Sequence, residues 1–139
     1  MIDLSSIALL RATEVDPRER AILEYLRSMV LSSKDRLERF HAVFLDEKQG
    51  FVGDAPLGQG RLGSLSFRMR ELFTHALAFD ASGMVIAHNH PSGSCRPSQF
   101  DIDSTCRLNT LAKGLDIKLL DHLIFTHDAV YSMRAGGKL

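Results

Sequence analysis

Gly83-Met84-Val85-Ile86-Ala87-His88-Asn89-His90-Pro91-Ser92-Gly93, followed by Ser98 and Asp101, is the stretch on which the fold reading turns. Its first five residues form an apolar run, too short for a helix and rich enough in branched side chains for a buried strand. Side chains alternate along a strand, so His88 and His90 leave on one face and Asn89 on the other. Pro97-Ser98-Gln99-Phe100-Asp101 reads as a helix entry, with Ser98 at the N-cap and Asp101 at the third helical position. A strand running through a tight Pro-Ser-Gly loop into that helix returns Asp101 toward the two imidazoles. Two histidines and one aspartate leave a fourth position open on a tetrahedral ion. That is the catalytic type of zinc site rather than the closed structural type. The expectation is one Zn2+ per chain, bound by His88, His90 and Asp101.

Fragments of this pattern are commonplace. Ser-x-x-Asp at a helix start is a capping arrangement in its own right, and a lone His-x-His arises by chance. The whole pattern carries more, because the strand, the turn and the capped helix fit one geometry. The contiguous His-Asn-His is not an HNH nuclease signature, whose three residues are spread over a ββα unit. The chain also lacks a helical His-Glu-x-x-His and the Pro-Cys-x-x-Cys partner of a zinc deaminase.

Working outward, residues 1–15 read as a lead-in. Asp16-Pro17-Arg18-Glu19 then starts a helix with an acidic N-cap, proline at the first helical position and Glu19 placed for a capping box. Ile22, Leu23, Leu26, Met29 and Val30 give that helix one apolar face, and it is expected to stop near Ser32-Ser33-Lys34. Glu38 to Asp46 alternates as a central strand, and Phe51-Val52 begins a second. Gly50, Gly53, Pro56, Gly58, Gly60 and Gly63 read as punctuation in connections. Arg68 to Phe79 reads as a helix with Leu72, Phe73, Ala76 and Leu77 inward. A third helix runs from about 98 to 113 and ends at Gly114. Lys118 to Thr126 and Val130 to Arg134 close the chain as a hairpin. This mixed order predicts an α/β (or α+β) fold, a central mixed sheet flanked by helices.

A chain of 139 residues makes one domain. Its 17 basic and 17 acidic residues cancel, and the first 39 residues hold seven of each sign. Phosphate neutralisation is the main source of nucleic-acid affinity, so no nucleic-acid partner is expected. No apolar stretch approaches a membrane span, and Met1-Ile2-Asp3-Leu4 does not open a signal peptide. Two cysteines, Cys95 and Cys106, suggest no disulfide framework, so a reducing cytoplasm is expected. Cys95 reads as a loop thiol without a role, or as a soft ligand able to take the open metal position.

The stretch from Arg70 to Leu139 resembles the RadC family of bacterial JAB/MPN (JAMM) domains. The resemblance rests on Arg70-Glu71-Leu72-Phe73, Ala76-Leu77, His88-Asn89-His90-Pro91-Ser92-Gly93, Pro97-Ser98, Leu120-Asp121-His122 and Tyr131-Ser132. His-x-His, seven residues, Ser, two residues, Asp is the second half of the JAMM signature, and it is present without a gap. The resemblance implies the deaminase-like JAB/MPN fold and a base on the segment entering the first core strand, which here is Glu38. Glu71 is the rival. Ser98 would hold the oxyanion through its hydroxyl. Asp121-His122 reads either as support behind the metal-binding histidines or, preferably, as a buried hydrogen-bonded pair. His41, His75 and His127 read as surface or core-edge residues.

Relatives of this type usually carry a helix-hairpin-helix region ahead of the domain. Only about 15 residues precede the first helix here, so that region is expected to be missing. Ser94-Cys95-Arg96 stands where the commonest form has an aspartate after Pro-Ser-Gly, a change that bears on substrate choice and not on the ligands. The function expected is a zinc metallohydrolase that cleaves a peptide or isopeptide amide of a peptide or protein substrate. A metal-stabilised interaction module with little or no turnover and an accessory factor in DNA repair are the alternatives. The sequence leaves room for a homo-oligomer.

Overall fold

The computed structural model describes residues 16–31, 36–60 and 65–139. The lead-in over residues 1–15, the helix stop at Ser32-Ser33-Lys34 and Gly63 fall outside them. The described elements are α1 (Pro17–Val30), β1 (Glu38–Leu45), β2 (Phe51–Gly60), α2 (Leu65–Ala78), β3 (Gly83–Asn89), α3 (Gln99–Gly114), β4 (Lys118–Phe125) and β5 (Val130–Ser132). Together they form an α+β fold.

The five strands make one mixed sheet in the order β2-β1-β3-β4-β5. β1 pairs antiparallel with β2 and β3, β3 runs parallel to β4, and β4 pairs antiparallel with β5. A parallel pair needs a crossover, and α3 supplies it between β3 and β4. The chain therefore leaves β3 at Asn89, crosses the loop holding His90 to Ser98, and enters α3 at the same end of the sheet.

Strand alternation divides the core into two layers. On one face Phe40, Phe44, Met84 and Ile86 pack with Leu72 and Ala76 of α2 and Leu108 and Ala112 of α3. On the other, Val43, Leu45, Val85 and Phe125 pack beneath Leu26 and Val30 of α1. Phe44 and Phe125 are fully buried, and a side chain of this kind contributes about 1.5–3 kcal/mol by leaving water. The inward stripe of α3 is Asp101, Thr105, Leu108, Ala112, at helical spacing. Its uppermost member is the acidic one.

Two departures from the sequence reading have physical causes. β2 runs through Gly53, Pro56, Gly58 and Gly60, which read as breaks. Gly53 stays in the strand because the Phe79 ring occupies the space of its absent side chain. Pro56 is tolerated because β2 is an edge strand and needs no second ladder. Leu77 of α2, expected to face inward, is 59% exposed. The buried stripe of that helix follows Met69, Leu72 and Ala76 instead.

Candidate metal centre

β3 and the start of α3 build the site together. The cross-strand register puts Phe40 of β1 opposite His88 of β3, and their rings stack with centroids 4.6 Å apart and 15° between planes. Alternation carries Glu38 to the same face as Phe40, two residues earlier. His88 is fully buried, and its Nε2 lies 3.0 Å from His90 Nε2. The His90 ring is aimed by its other nitrogen, which donates to the Ser94 carbonyl at 2.9 Å.

Asp101 reaches both rings, with Oδ2 3.2 Å from His90 Nε2 and Oδ1 3.5 Å from His88 Nε2. It is the third residue of α3 and closes a capping box. Its Oδ2 accepts from the Ser98 amide at 2.9 Å, and Ser98 Oγ accepts from the Asp101 amide at 3.0 Å. Glu38 completes the cluster, since one of its carboxylate oxygens and a nitrogen from each of His88 and His90 all lie within 4.8 Å of one another.

The donor set fits a divalent cation. Ligands bonded to zinc at about 2.0–2.1 Å in a tetrahedron stand about 3.3 Å apart. The 3.0 Å between His88 and His90 Nε2 and the 3.2 Å from His90 Nε2 to Asp101 Oδ2 lie near that edge, while His88 Nε2 stands 3.5 Å from the other carboxylate oxygen, Oδ1. Two imidazole nitrogens and a carboxylate facing one another are a donor set that could hold a metal ion.

Burial works against charging Asp101, yet the two imidazoles set against it and the Ser98 amide hold its carboxyl far below the usual range. Burial also opposes a charged His90, but Asp101, the Ser94 carbonyl and Glu38 outweigh it and raise its pKa. Titratable groups perturbed by specific partners in a recess mark a candidate functional site.

Not every residue singled out in the sequence joins the cluster. Glu71 lies on the exposed face of α2, 4.0 Å from His75. Cys95 packs against Ile124, Tyr131 and Met133, and burial pushes its thiol pKa up. Asp121 and His122 are hydrogen-bonded to each other, Asp121 Oδ1 accepting from the His122 amide at 2.8 Å, but their side chains go to different partners. A register shift in β3–β4 pairing falls between Met84/Leu119 and Val85/Asp121. Past it, Asp121 turns to Ser132 and the Arg134 amide, while His122 turns inward to place Nε2 2.7 Å from His88 Nδ1. Burial, followed by the neighbouring charge of His88, holds His122 well below the ordinary histidine pKa.

Two contributors carry no sequence signal of their own. Thr105 Oγ1 lies 2.7 Å from His122 Nδ1. Asn89, between the two histidines, contacts the backbone flanking Glu38. Away from the site, His41 takes the core-edge place among the two expected, largely buried with Nε2 2.7 Å from Asp54 Oδ2, which also accepts from the Tyr25 hydroxyl at 2.6 Å. The mouth of the site is a recess lined by Glu38, His90, Ser92, Ser94, Arg96 and Ser98.

Comparison with known sequences agrees with this architecture. The profile described as the RadC-like JAB domain matches residues 10–138. A UPF0758 protein of Ruegeria pomeroyi is 34% identical over 119 residues, 86% of this chain and 52% of the relative. A UPF0758 protein of Flavobacterium johnsoniae is 31% identical over 142 residues, covering 94% and 62%. One of Bordetella petrii is 39% identical over 103 residues, covering 74% and 46%. The chain thus spans roughly half the length of these relatives. Among the described residues no helix is long and apolar enough to cross a membrane. With a matching profile over nearly its whole length and a His/Glu cluster able to hold a metal ion, the chain belongs to the RadC-like JAB domain family.

Proposed function

We propose that this chain is a zinc-dependent hydrolase of the JAMM type that cleaves a peptide or isopeptide amide bond. The observation that carries the reading is the convergence of Glu38, His88, His90 and Asp101 at one recess that Ser98 also lines. A pure scaffold has no need of a carboxylate and a hydroxyl beside its ligands.

His88, His90 and Asp101 would hold the ion, which supplies an acidified water near neutral pH and a polarised amide carbonyl. Glu38 takes the proton of the attacking water and returns it to the leaving amine nitrogen. Ser98 receives the Asp101 amide on an oxygen lone pair, which leaves its hydroxyl proton to donate to the carbonyl oxygen as charge builds there. The Asp101 carboxylate acts twice, capping α3 and facing both rings, so the helix start and the site are one construction. The substrate in this reading is a peptide or protein, and the balance of 17 basic and 17 acidic residues argues against nucleic acid.

The test is elemental analysis of the purified protein, followed by hydrolysis of a mixed peptide library with and without a chelator. Stoichiometric zinc and chelator-sensitive cleavage are expected. A zinc-loaded protein that cleaves nothing in the library would favour an interaction module.

A further inference from the structure

The hydrogen bonds behind the metal face form one continuous path with a fixed direction. Thr105 stands one helical turn after Asp101, and its Oγ1 lies 2.6 Å from the Asp101 carbonyl oxygen, which can only accept. The hydroxyl has a single proton, and that contact takes it. Toward His122 Nδ1, 2.7 Å away, the same oxygen must therefore accept, so His122 carries a proton on Nδ1. His122 is fully buried, and among the described residues its ring nitrogens meet Thr105 and His88, while the Asp121 carboxylate takes its backbone amide and not its ring. An unpaired buried charge is costly, so the ring stays neutral and its Nε2 is a bare lone pair. The proton in the 2.7 Å contact between His122 Nε2 and His88 Nδ1 then belongs to His88.

We infer that His122 and Thr105 are positioning residues that lock His88 in its Nδ1–H tautomer, so that the His88 Nε2 lone pair is committed to a divalent cation. The inference rests on the metal reading above and adds to it the device that sets affinity. A metal-bound histidine ordinarily hands its second N–H to a carboxylate, a carbonyl or a water. Here the receiver is a neutral imidazole. It orients the ring without adding negative charge, which leaves a bound dication more strongly Lewis-acidic. Because Thr105 also grips the Asp101 backbone, the path ties one ligand to another through the core, and the two ligands move together or not at all.

The experiment uses the full chain, labelled with nitrogen-15. Long-range proton–nitrogen correlation on the metal-free protein reads the tautomer of each ring, and both His88 and His122 are expected as Nδ1–H. Zinc affinity is then measured by competition with a chromophoric chelator. Thr105→Val, close in volume, should weaken zinc binding by about 10–100-fold and release the His122 tautomer, while Thr105→Ser restores both. A wild-type His88 found as the Nε2–H tautomer would overturn the inference, as would a Thr105→Val protein with unchanged affinity. Should Thr105→Val not fold, the wild-type tautomers and the Thr105→Ser affinity still decide. A wild-type chain that shows both Nδ1–H tautomers but takes up no zinc would sink the metal reading and leave the tautomer lock standing.

Discussion

Asn89 grips the backbone on either side of Glu38. Its Oδ1 accepts from the Arg39 amide at 2.6 Å, and its Nδ2 donates to the Leu37 carbonyl at 3.2 Å. Because Asn89 sits between the two histidines on β3, one side chain fixes where Glu38 stands relative to both rings. The residue that alternation turns away from the metal is thereby what holds the carboxylate beside it.

Asn89→Ala should therefore cost about 1–2 kcal/mol for two buried hydrogen bonds and keep its zinc. A misplacement of Glu38 by about 1 Å should slow turnover by about 10²-fold. Urea denaturation, metal analysis and peptide hydrolysis together check this. An alanine variant with wild-type stability and rate would show that the grip on Glu38 is idle.

Metal content should follow the ligands. His88→Ala is expected to lose zinc outright, and Asp101→Asn to lose most of it while still capping α3 through its side-chain oxygen. Elemental analysis reads both. Full stoichiometry in His88→Ala would remove the assignment of that residue.

Much of this was legible because period and spacing carry it. The run Gly83–Ala87 and the alternation of His88 and His90 specify a strand, and Ser98 with Asp101 specifies a capped helix. Both elements lie within a residue or two of their expected bounds. What stayed hidden depends on neighbours distant in sequence. Gly53 reads as a break until Phe79 is seen filling its place. Asp121-His122 reads as a hydrogen-bonded pair and is one through the His122 amide, yet adjacent strand side chains point apart, and only the tertiary packing shows which face each takes. Thr105 belongs to no motif, and its role exists only because His122 and the Asp101 carbonyl flank it.

The two glutamates should separate sharply. Glu38→Gln is expected to retain zinc and slow hydrolysis by about 10²–10⁴-fold, the usual worth of a positioned base. Glu71→Gln, on an exposed helix face beside His75, should change neither. A fully active Glu38→Gln with a dead Glu71→Gln would reverse the assignment.

On the opposite face, Tyr25→Phe tests the contact that ties α1 to β2. Burial opposes ionising Asp54, but hydrogen bonds from Tyr25 and His41 outweigh it and lower its pKa. The Asp54 hydrogen bond, then burial, raises that of Tyr25. A lowered carboxyl stabilises above its unfolded value of about 3.9 and stops doing so as pH falls through the folded value. A raised phenol stabilises below about 10 and stops doing so as pH rises through its own. The cost of Tyr25→Phe, about 1 kcal/mol for a half-exposed bond, should thus be flat between about pH 5 and 9 and shrink at both ends. Urea midpoints across that range check it, and a cost that grew below pH 4 would contradict the assigned signs.

Ser98 is where capping and chemistry meet in one hydroxyl. The cap uses its lone pair, which receives the Asp101 amide at 3.0 Å, while the reciprocal bond from the Ser98 amide to Asp101 Oδ2 at 2.9 Å needs no side chain at position 98. Ser98→Ala therefore breaks half the box and should cost about 1 kcal/mol. If the hydroxyl proton also serves the carbonyl oxygen, kcat should fall by about 10²–10³ at constant zinc content. Ser98→Asp divides the roles more cleanly, because aspartate caps as well as serine but carries no proton to donate and sets a negative charge where charge develops. That variant is expected to fold, hold zinc and cleave nothing. A Ser98→Asp protein with normal turnover would make Ser98 a cap alone and would move the stabilisation of the carbonyl oxygen elsewhere in the recess.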